Sequence, residues 1–349
     1  MMKACVLKEY RQFEWTDVPR PEIKSDEVLI KTKYASICGS DQHIFAGDFH
    51  PRTQLPFIPG HEFMGVVVET GSDIRNYKTG ERVVVDPIIW CGRCPACRKH
   101  HYPACTSLKL LGVDMDGGFG QYVIVKPYML YQLTPNIPDA HGSLVEVMGI
   151  GFHACNRAKV KQDDTIAIWG TGKVGHCILQ AVKTKTQGQI FLIDLIEDRL
   201  QTAKKAFPDV ITINALKEDP IELIHDHTNG EGVDVAFEAV GHDTSKGSTL
   251  NPVRGCINLI RGAGIVVVLG LTDEISPIVF KELIWKEAQI IASRVSHGEF
   301  AEVIKHMDNG DLRPEILISD IFKASDIQRA FELLENHPEN HLKILLDLE

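Results

Sequence analysis

The 349-residue chain has no run approaching the roughly 20 apolar residues that a membrane-spanning helix requires. Its longest apolar stretch, IVVVLGL at 265–271, has the length of a buried strand. The N-terminal MMKACVLKEYRQFEW carries no long apolar segment ahead of a small-residue cleavage site, so no secretory signal is expected. No block of Lys and Arg stands out among 37 basic and 47 acidic residues, and the formal net charge is −10. Nucleic acid and anionic membrane are therefore not expected partners. The acidic balance reads as solubility. Internal repeats, low-complexity tracts and flexible linkers are also missing. The expected location is the cytoplasm.

What is present is ordinary in bulk: 44 % hydrophobic and 24 % charged residues. At roughly 100–200 residues per domain, two domains are expected. Nine cysteines would suit a disulfide framework only in a small secreted chain; here metal binding or catalysis is the better reading. Five of them fall in two metal-like settings. Cys5, Cys155, Cys177 and Cys256 are left over, and buried small hydrophobes are what they resemble.

Along the chain, residues 1–36 read as β-rich, with VLIKTKYAS partly alternating after the Pro-rich turn VPRPEIKSDE. MGVVVETG, ERVVVDP and GGFGQYVIVK are further strands. Near residue 143 the character changes. SLVEVMGIGFHACNRA reads as a helix, and from 164 to about 292 strands and helices alternate. TIAIWG, QIFLID, VITIN, VDVAFEAVG, IVVVLGL and QIIASR are the strands; KVGHCILQAVKT, DRLQTAKKAF and IELIHDHT are helices, and CINLIRG closes another. This pattern implies βαβ units and a doubly wound parallel sheet, an α/β fold. GEFAEVIKHMDNG and SDIQRAFELLENH are helical, and HLKILLDL ends the chain as a strand.

Strand TIAIW runs directly into Gly170-Thr171-Gly172-Lys173-Val174-Gly175 and then a helix. GxGxxG alone is weak; between strand and helix it has a mechanism. The first Gly permits the tight turn, the second lets backbone approach a pyrophosphate, and the third lets helix and strand pack closely. The helix N-terminus turns its partial positive charge on the phosphates. Asp194 ends the next strand, 19 residues after Gly175, where a carboxylate binds the ribose 2′-OH and repels a 2′-phosphate, which favours NAD over NADP. Arg199 is near enough to stack on adenine or pair with Asp194. Cys91, Cys94, Cys97 and Cys105 form a second pattern, C-x2-C-x2-C-x7-C, that suits a closed tetrahedral zinc site of structural type. An iron–sulfur cluster is the competing reading.

The third pattern is the stretch from Cys38 to Glu62, with Ser40, His43 and His61 inside it. Cys38, His61 and Glu62 supply the roughly three protein ligands of a catalytic zinc, although spacing alone leaves a core Cys and an ordinary His as alternatives. The chain resembles the zinc-dependent medium-chain dehydrogenases over nearly its whole length. The resemblance rests on ICGSDQH (37–43), PGHEFMGVVVETG (59–71), GERVVVDP (80–87), the four-cysteine loop, DGGFGQYVIV (116–125), GTGKVG, DVAFEAVG (234–241) and VVVLGL (266–271). Glu after His in GHE is similar to the sorbitol, threonine and sugar-acid dehydrogenase branch. The C-terminal segments 290–310 and 316–334 look most like dehydrogenases of hexonates.

The resemblance implies a GroES-like β-rich catalytic domain (1–149 with 295–349) and a Rossmann NAD-binding domain (150–294), with the site in the cleft between them. It implies two zinc ions, one catalytic on Cys38, His61 and Glu62 and one structural on the four cysteines, with NAD as cofactor. Glu146 is implied as an exchangeable ligand or a partner of zinc-bound water, and Ser40 with His43 as a proton relay. Leu269, Gly270, Leu271, Ser293 and Arg294 are expected to end the two strands bordering the nicotinamide; Arg294 could equally reach a substrate carboxylate or lie on the surface. The expected partners are a small alcohol substrate and further copies of the chain, as a homodimer or homotetramer. Val147 stands where the branch has Pro, Lys173 and Val174 stand for Pro and Ile, and Trp169 is bulky before Gly170; every catalytic side chain remains. The expected activity is NAD-linked oxidation of a secondary alcohol on a polyol or sugar acid, the alternatives being threonine 3-dehydrogenase-like or sorbitol dehydrogenase-like activity. A non-catalytic, crystallin-like member would be expected to lose the zinc ligands kept here. Asp194 argues against an NADPH-dependent reductase.

Overall fold

The computed structural model describes residues 1–241, 251–273 and 275–349. In chain order the elements are β1 (Met2–Glu9), β2 (Gln12–Val18), β3 (Val28–Ser36), α1 (Gly39–Ala46), β4 (Glu62–Thr70), β5 (Arg82–Val85), β6 (Ile88–Ile89), α2 (Pro95–Arg98), β7 (Lys109–Leu110), β8 (Tyr122–Val125), β9 (Leu130–Gln132) and α3 (Asp139–Gly142). Next come α4 (Val145–Ala158), β10 (Ile166–Trp169), α5 (Lys173–Lys183), β11 (Ile190–Asp194), α6 (Glu197–Ala206), β12 (Ile211–Asn214), α7 (Pro220–His227), β13 (Val233–Glu238), α8 (Pro252–Leu259), β14 (Ile260–Val268), α9 (Phe280–Lys286) and β15 (Gln289–Ala292). The chain closes with α10 (Phe300–Asp308), β16 (Ile318–Lys323), α11 (Ile327–Asn336) and β17 (Lys343–Asp347). Two compact units result, Met1–Val147 with His297–Glu349, and Met148–Ser296.

The first unit is built on a seven-stranded sheet in the order β16-β17-β3-β4-β5-β9, with β8 also paired to β3. Its strands pair antiparallel except β16 with β17. Val28, Leu29, Ile30 and Ala35 of β3 are buried, and Phe45, Phe63, Phe119 and Phe331 join the same core. The register has a direct consequence for chemistry. Ser36 lies opposite Glu62 on β4 and opposite Leu345 on β17. Strand ends from residues 36, 62 and 345 thus meet at one edge of the unit.

The second unit is a six-stranded, wholly parallel sheet in the order β12-β11-β10-β13-β14-β15. Its central strands are near-continuous apolar runs, as parallel strands covered on both faces must be; Ile166–Trp169 is buried throughout. The strand order reverses direction at β10 and β13, the switch point of a doubly wound sheet. Gly175 makes the first turn possible, since a Cβ there would lie 1.9 Å from the Gly170 carbonyl oxygen.

One boundary differs from the sequence reading. CINLIRG does not close a helix as a whole: α8 stops at Leu259, and Ile260 begins β14 opposite Val233. The buried β-branched run that follows pulls its leading residues into the sheet. The Lys286 ammonium then donates to the carbonyls of Ile257 (3.1 Å) and Ile260 (2.6 Å) that the helix end leaves open.

Among the described residues β15 is an end strand of its sheet with no strand on its outer side. Beside it in sequence, Phe280, Ile284 and Trp285 are at least 70 % exposed.

Candidate active site

In the first unit, Cys38 follows β3 and serves as N-cap of α1, its backbone N–H donating to Asp41 Oδ2 at 2.8 Å. Asp41 is fully buried, and its Oδ1 lies 3.5 Å from His61 Nδ1. One carboxylate thereby orients both a cysteine and a histidine. His61 and Glu62 open β4 behind Gly60, whose φ of +100° is left-handed. A clasp holds that turn. Gly117 N donates to Ile58 O (2.7 Å), Phe119 N to Pro59 O (3.0 Å) and Gly118 N to Gly60 O (2.7 Å). A Cβ on Gly117 would sit 2.1 Å from the Gly60 oxygen. The DGGFG motif is thus the partner of the PGHE motif.

The result is that one donor atom each from Cys38, His61 and Glu62 lies within 4.8 Å of the other two. Thiolate, imidazole and carboxylate are the donor types of a catalytic zinc, which bonds them at about 2.0–2.3 Å, so the residues fit that ion. Ser40 Oγ is 3.2 Å from His61 Nε2 and hence belongs to the cluster. His43 does not: it is exposed and its Nδ1 pairs with Asp48 Oδ2 at 2.8 Å. Among the described residues no hydrogen bond joins Ser40 to His43. Glu146, in the first turn of α4, is buried, and burial together with the nearby Glu62 pushes its carboxyl up to about 8.

Two site residues escaped the sequence reading. One is Asp41, hidden inside ICGSDQH. The other is Lys343, fully buried on β17, whose ammonium lies 2.6 and 2.5 Å from the two Glu62 oxygens. Burial opposes the charge on Glu62, but Lys343 and His61 outweigh it and hold the carboxyl below its ordinary range. Burial and Glu62 likewise oppose ionisation of Cys38, yet Lys343 and His61 bring the thiol down. For His61, burial is overcome by Asp41 and Cys38, which raise it. The cluster is a set of mutually supporting charges, buried at Asp41, His61, Glu62 and Lys343 and half-buried at Cys38.

The four cysteines of the loop converge in the same way, their sulfurs all within 4.8 Å of one another. Backbone N–H groups point at them: Cys94 N at Cys91 Sγ, Cys97 N at Cys94 Sγ, and Cys91 N at Cys105 Sγ, each at 3.4 Å. The N–H of Cys97 helps draw the Cys94 thiol down to about 5. This is the environment of metal-binding thiolates.

In the second unit, Gly170 turns the chain with φ +97° and α5 begins at Lys173 and Val174, with Gly172 as its cap. Asp194 is tied into that turn. Its Oδ2 accepts from Thr171 N (2.6 Å) and Thr171 Oγ1 (2.8 Å), its Oδ1 from Leu195 N (2.7 Å) and Ile196 N (2.9 Å). The Arg199 guanidinium faces Gly172, 3.8 Å from where a Cβ would be. Leu269, Gly270 and Leu271 lie beyond β14 rather than within it, and Ser293 and Arg294 beyond β15. Glu238, also not singled out from sequence, holds the first group: Gly270 N donates to its Oε2 at 3.1 Å and Leu269 N to its carbonyl at 2.9 Å. Loops past the carboxyl ends of parallel strands are where such sheets bind ligands. Leu271 and Arg294 are exposed.

Known proteins match this arrangement. The alcohol dehydrogenase GroES-like domain matches residues 24–136 and the zinc-binding dehydrogenase domain residues 174–309. Sorbitol dehydrogenase of Bacillus subtilis is 32 % identical over 99 % of this chain and 97 % of its own. L-threonine 3-dehydrogenase of Bacillus velezensis is 33 % identical over 95 % of each. The crystal structure of the alcohol dehydrogenase RspB from Escherichia coli CFT073 with NADH is 28 % identical, covers 99 % of each chain and superposes with a TM-score of 0.88. The chain belongs to the zinc-dependent alcohol dehydrogenases, with a GroES-like unit and a Rossmann unit. It is an oxidoreductase of the zinc-binding kind.

His176, just after the cofactor loop, is 1 % exposed, and burial pushes it down to about 4, against 6.5 for the free side chain. Above pH 6.5 it is neutral folded or unfolded and costs nothing. Below 6.5 the unfolded chain takes up a proton that the folded chain refuses, so stability is lost as pH falls towards 4, by about 3 kcal/mol. His176→Leu should remove that part of the acid sensitivity. Chemical denaturation at pH 7 and pH 4.5 measures it, and equal acid losses in both proteins would refute the assignment.

Proposed function

We propose that the chain oxidises a secondary alcohol on a polyol or sugar acid to the ketone, using NAD. The observation that carries this is the convergence of the half-buried Cys38 with the buried His61 and Glu62, one donor atom from each within 4.8 Å of the others. Those three residues would hold the catalytic zinc and the four loop cysteines the structural one; bound there, zinc supplies Lewis acidity at the substrate hydroxyl while NAD accepts the hydride. Ser40 Oγ, beside His61, is the first acceptor of the hydroxyl proton. His43, exposed and paired with Asp48, is not hydrogen-bonded to Ser40, so a group between them would have to carry the proton on before His43 hands it to water. Asp41 keeps the His61 ring turned to the cluster, and the buried Glu146 adds a second carboxyl next to it. In the second unit the α5 N-terminus receives the pyrophosphate and Asp194 the adenosine ribose. Arg199 borders that pocket, and the loops at Leu269–Leu271 and Ser293–Arg294 border the nicotinamide.

The polyol half of this reading is supported by the likeness to sorbitol dehydrogenase, the sugar-acid half by the resemblance of the C-terminal segments. L-threonine 3-dehydrogenase-like activity is the second reading, favoured by an equally strong relative. We also infer self-association through β15: an open edge strand flanked by Phe280, Ile284 and Trp285 is an isologous surface of the kind that two-fold dimers close. Sedimentation at micromolar concentration should show a species larger than the 38.9 kDa monomer.

A screen of polyols, aldonates and 3-hydroxy amino acids for NAD reduction, with and without a chelator, tests the assignment. Cys38→Ser should abolish turnover, bind NAD unchanged and lose one of two zincs. Full turnover in that variant would sink the zinc mechanism. In the same assay Asp194→Ala should narrow the preference for NAD over NADP, and an unchanged ratio would count against the ribose contact.

A further inference from the structure

We propose that Lys343 is a positioning residue of the catalytic metal site, fixing the two chain segments that deliver Cys38 and Glu62. The inference rests on the zinc assignment above. An ammonium has three N–H donors and no acceptor. In Lys343 all three are used inside the site: two on the Glu62 oxygens, and one on the carbonyl of Ile37, 3.3 Å away. Ile37 is the residue directly before Cys38. One side chain thus ties the backbone leading into the thiol to the carboxylate 25 positions later in the chain.

The pair is closed off from solvent. Lys343 is 0 % exposed, and Glu62 is 0 % exposed. A buried carboxylate without a cation is expensive, and the pairing gives Glu62 a fixed orientation as well as compensation. Hydrogen bonds on both oxygens leave each with a remaining lone pair, so Glu62 can still meet a metal while Lys343 holds the plane of its carboxylate. The segment arrives from the far end of the chain through the register of β17 against β3, next to the pairing of β3 with β4. Outer partners of this kind typically contribute 10- to 100-fold to metal affinity.

The test counts zinc in the purified full-length protein and follows its loss to a chromophoric chelator, then repeats both with cobalt(II), whose visible spectrum reports ligand geometry. Wild type should hold two zincs. Lys343→Met should release the Cys38–His61–Glu62 zinc at least 10-fold more readily while keeping the four-cysteine zinc, which serves as the control for folding, and its cobalt spectrum should change. Lys343→Arg, with charge and donors kept, should restore both. Equal or tighter retention in Lys343→Met with an unaltered spectrum would overturn the proposal. If Lys343→Met does not fold, Lys343→Gln decides, since it keeps donors and loses the charge: its retention should fall below that of both Lys and Arg, and equal retention in all three overturns the proposal. A wild type with one zinc would instead indict the zinc assignment itself.

Discussion

Lys343 and Glu62 form an ion pair with no access to water, and the candidate active site is built around it. Taking two such ions out of water costs several kcal/mol each, recovered only if the geometry is good and every remaining donor is met. Here it is met, by the Glu62 carboxylate and the Ile37 carbonyl. Losing one partner would leave an uncompensated charge, at about 3–5 kcal/mol. The pair therefore demands that the last strand dock against β3 before the site exists. Residues from both ends of the chain are needed for one cluster.

The remaining supports are short and local. Asp41 sets Cys38 and His61 from within one helical turn. At the Gly60 turn, Gly112 and Gly117 let a second loop lie against the Gly60 carbonyl. At the cofactor turn, Gly175 allows the helix to approach the Gly170 carbonyl, and Asp194 closes the loop by accepting from Thr171. At both glycine turns a small residue permits close backbone approach, and at the cofactor turn a half-buried carboxylate fixes the result.

Much of this was legible in the sequence where the signal is local. Strand, glycine turn and helix at 166–183 follow from period and composition, and VLIKTKYAS coincides with β3. The four-cysteine spacing announces a cluster that the fold gathers. What was not legible depends on non-local pairing. HLKILLDL reads as a strand, but nothing in it says that its lysine meets a glutamate 281 residues away. Asp41 reads as an ordinary helix residue until His61 is placed beside it. Glu238 reads as part of a strand until the loop at Leu269 comes down on it. The end of α8 was misplaced because helix and strand abut at Leu259 and Ile260 without a Gly or Pro between them. His43 shows the opposite limit: the sequence suggests a partner for Ser40, and the side chain faces Asp48 instead.

The central claim is that one chain holds two metal sites of different character, one closed by four thiolates and one open at Cys38, His61 and Glu62. Anomalous diffraction across the zinc absorption edge, on crystals of the zinc-loaded protein with NAD, tests it most directly. Two peaks are expected, one among the four cysteine sulfurs and one bonded to Cys38, His61 and Glu62. A single peak at the cysteine loop, or a second peak away from those three residues, would contradict it.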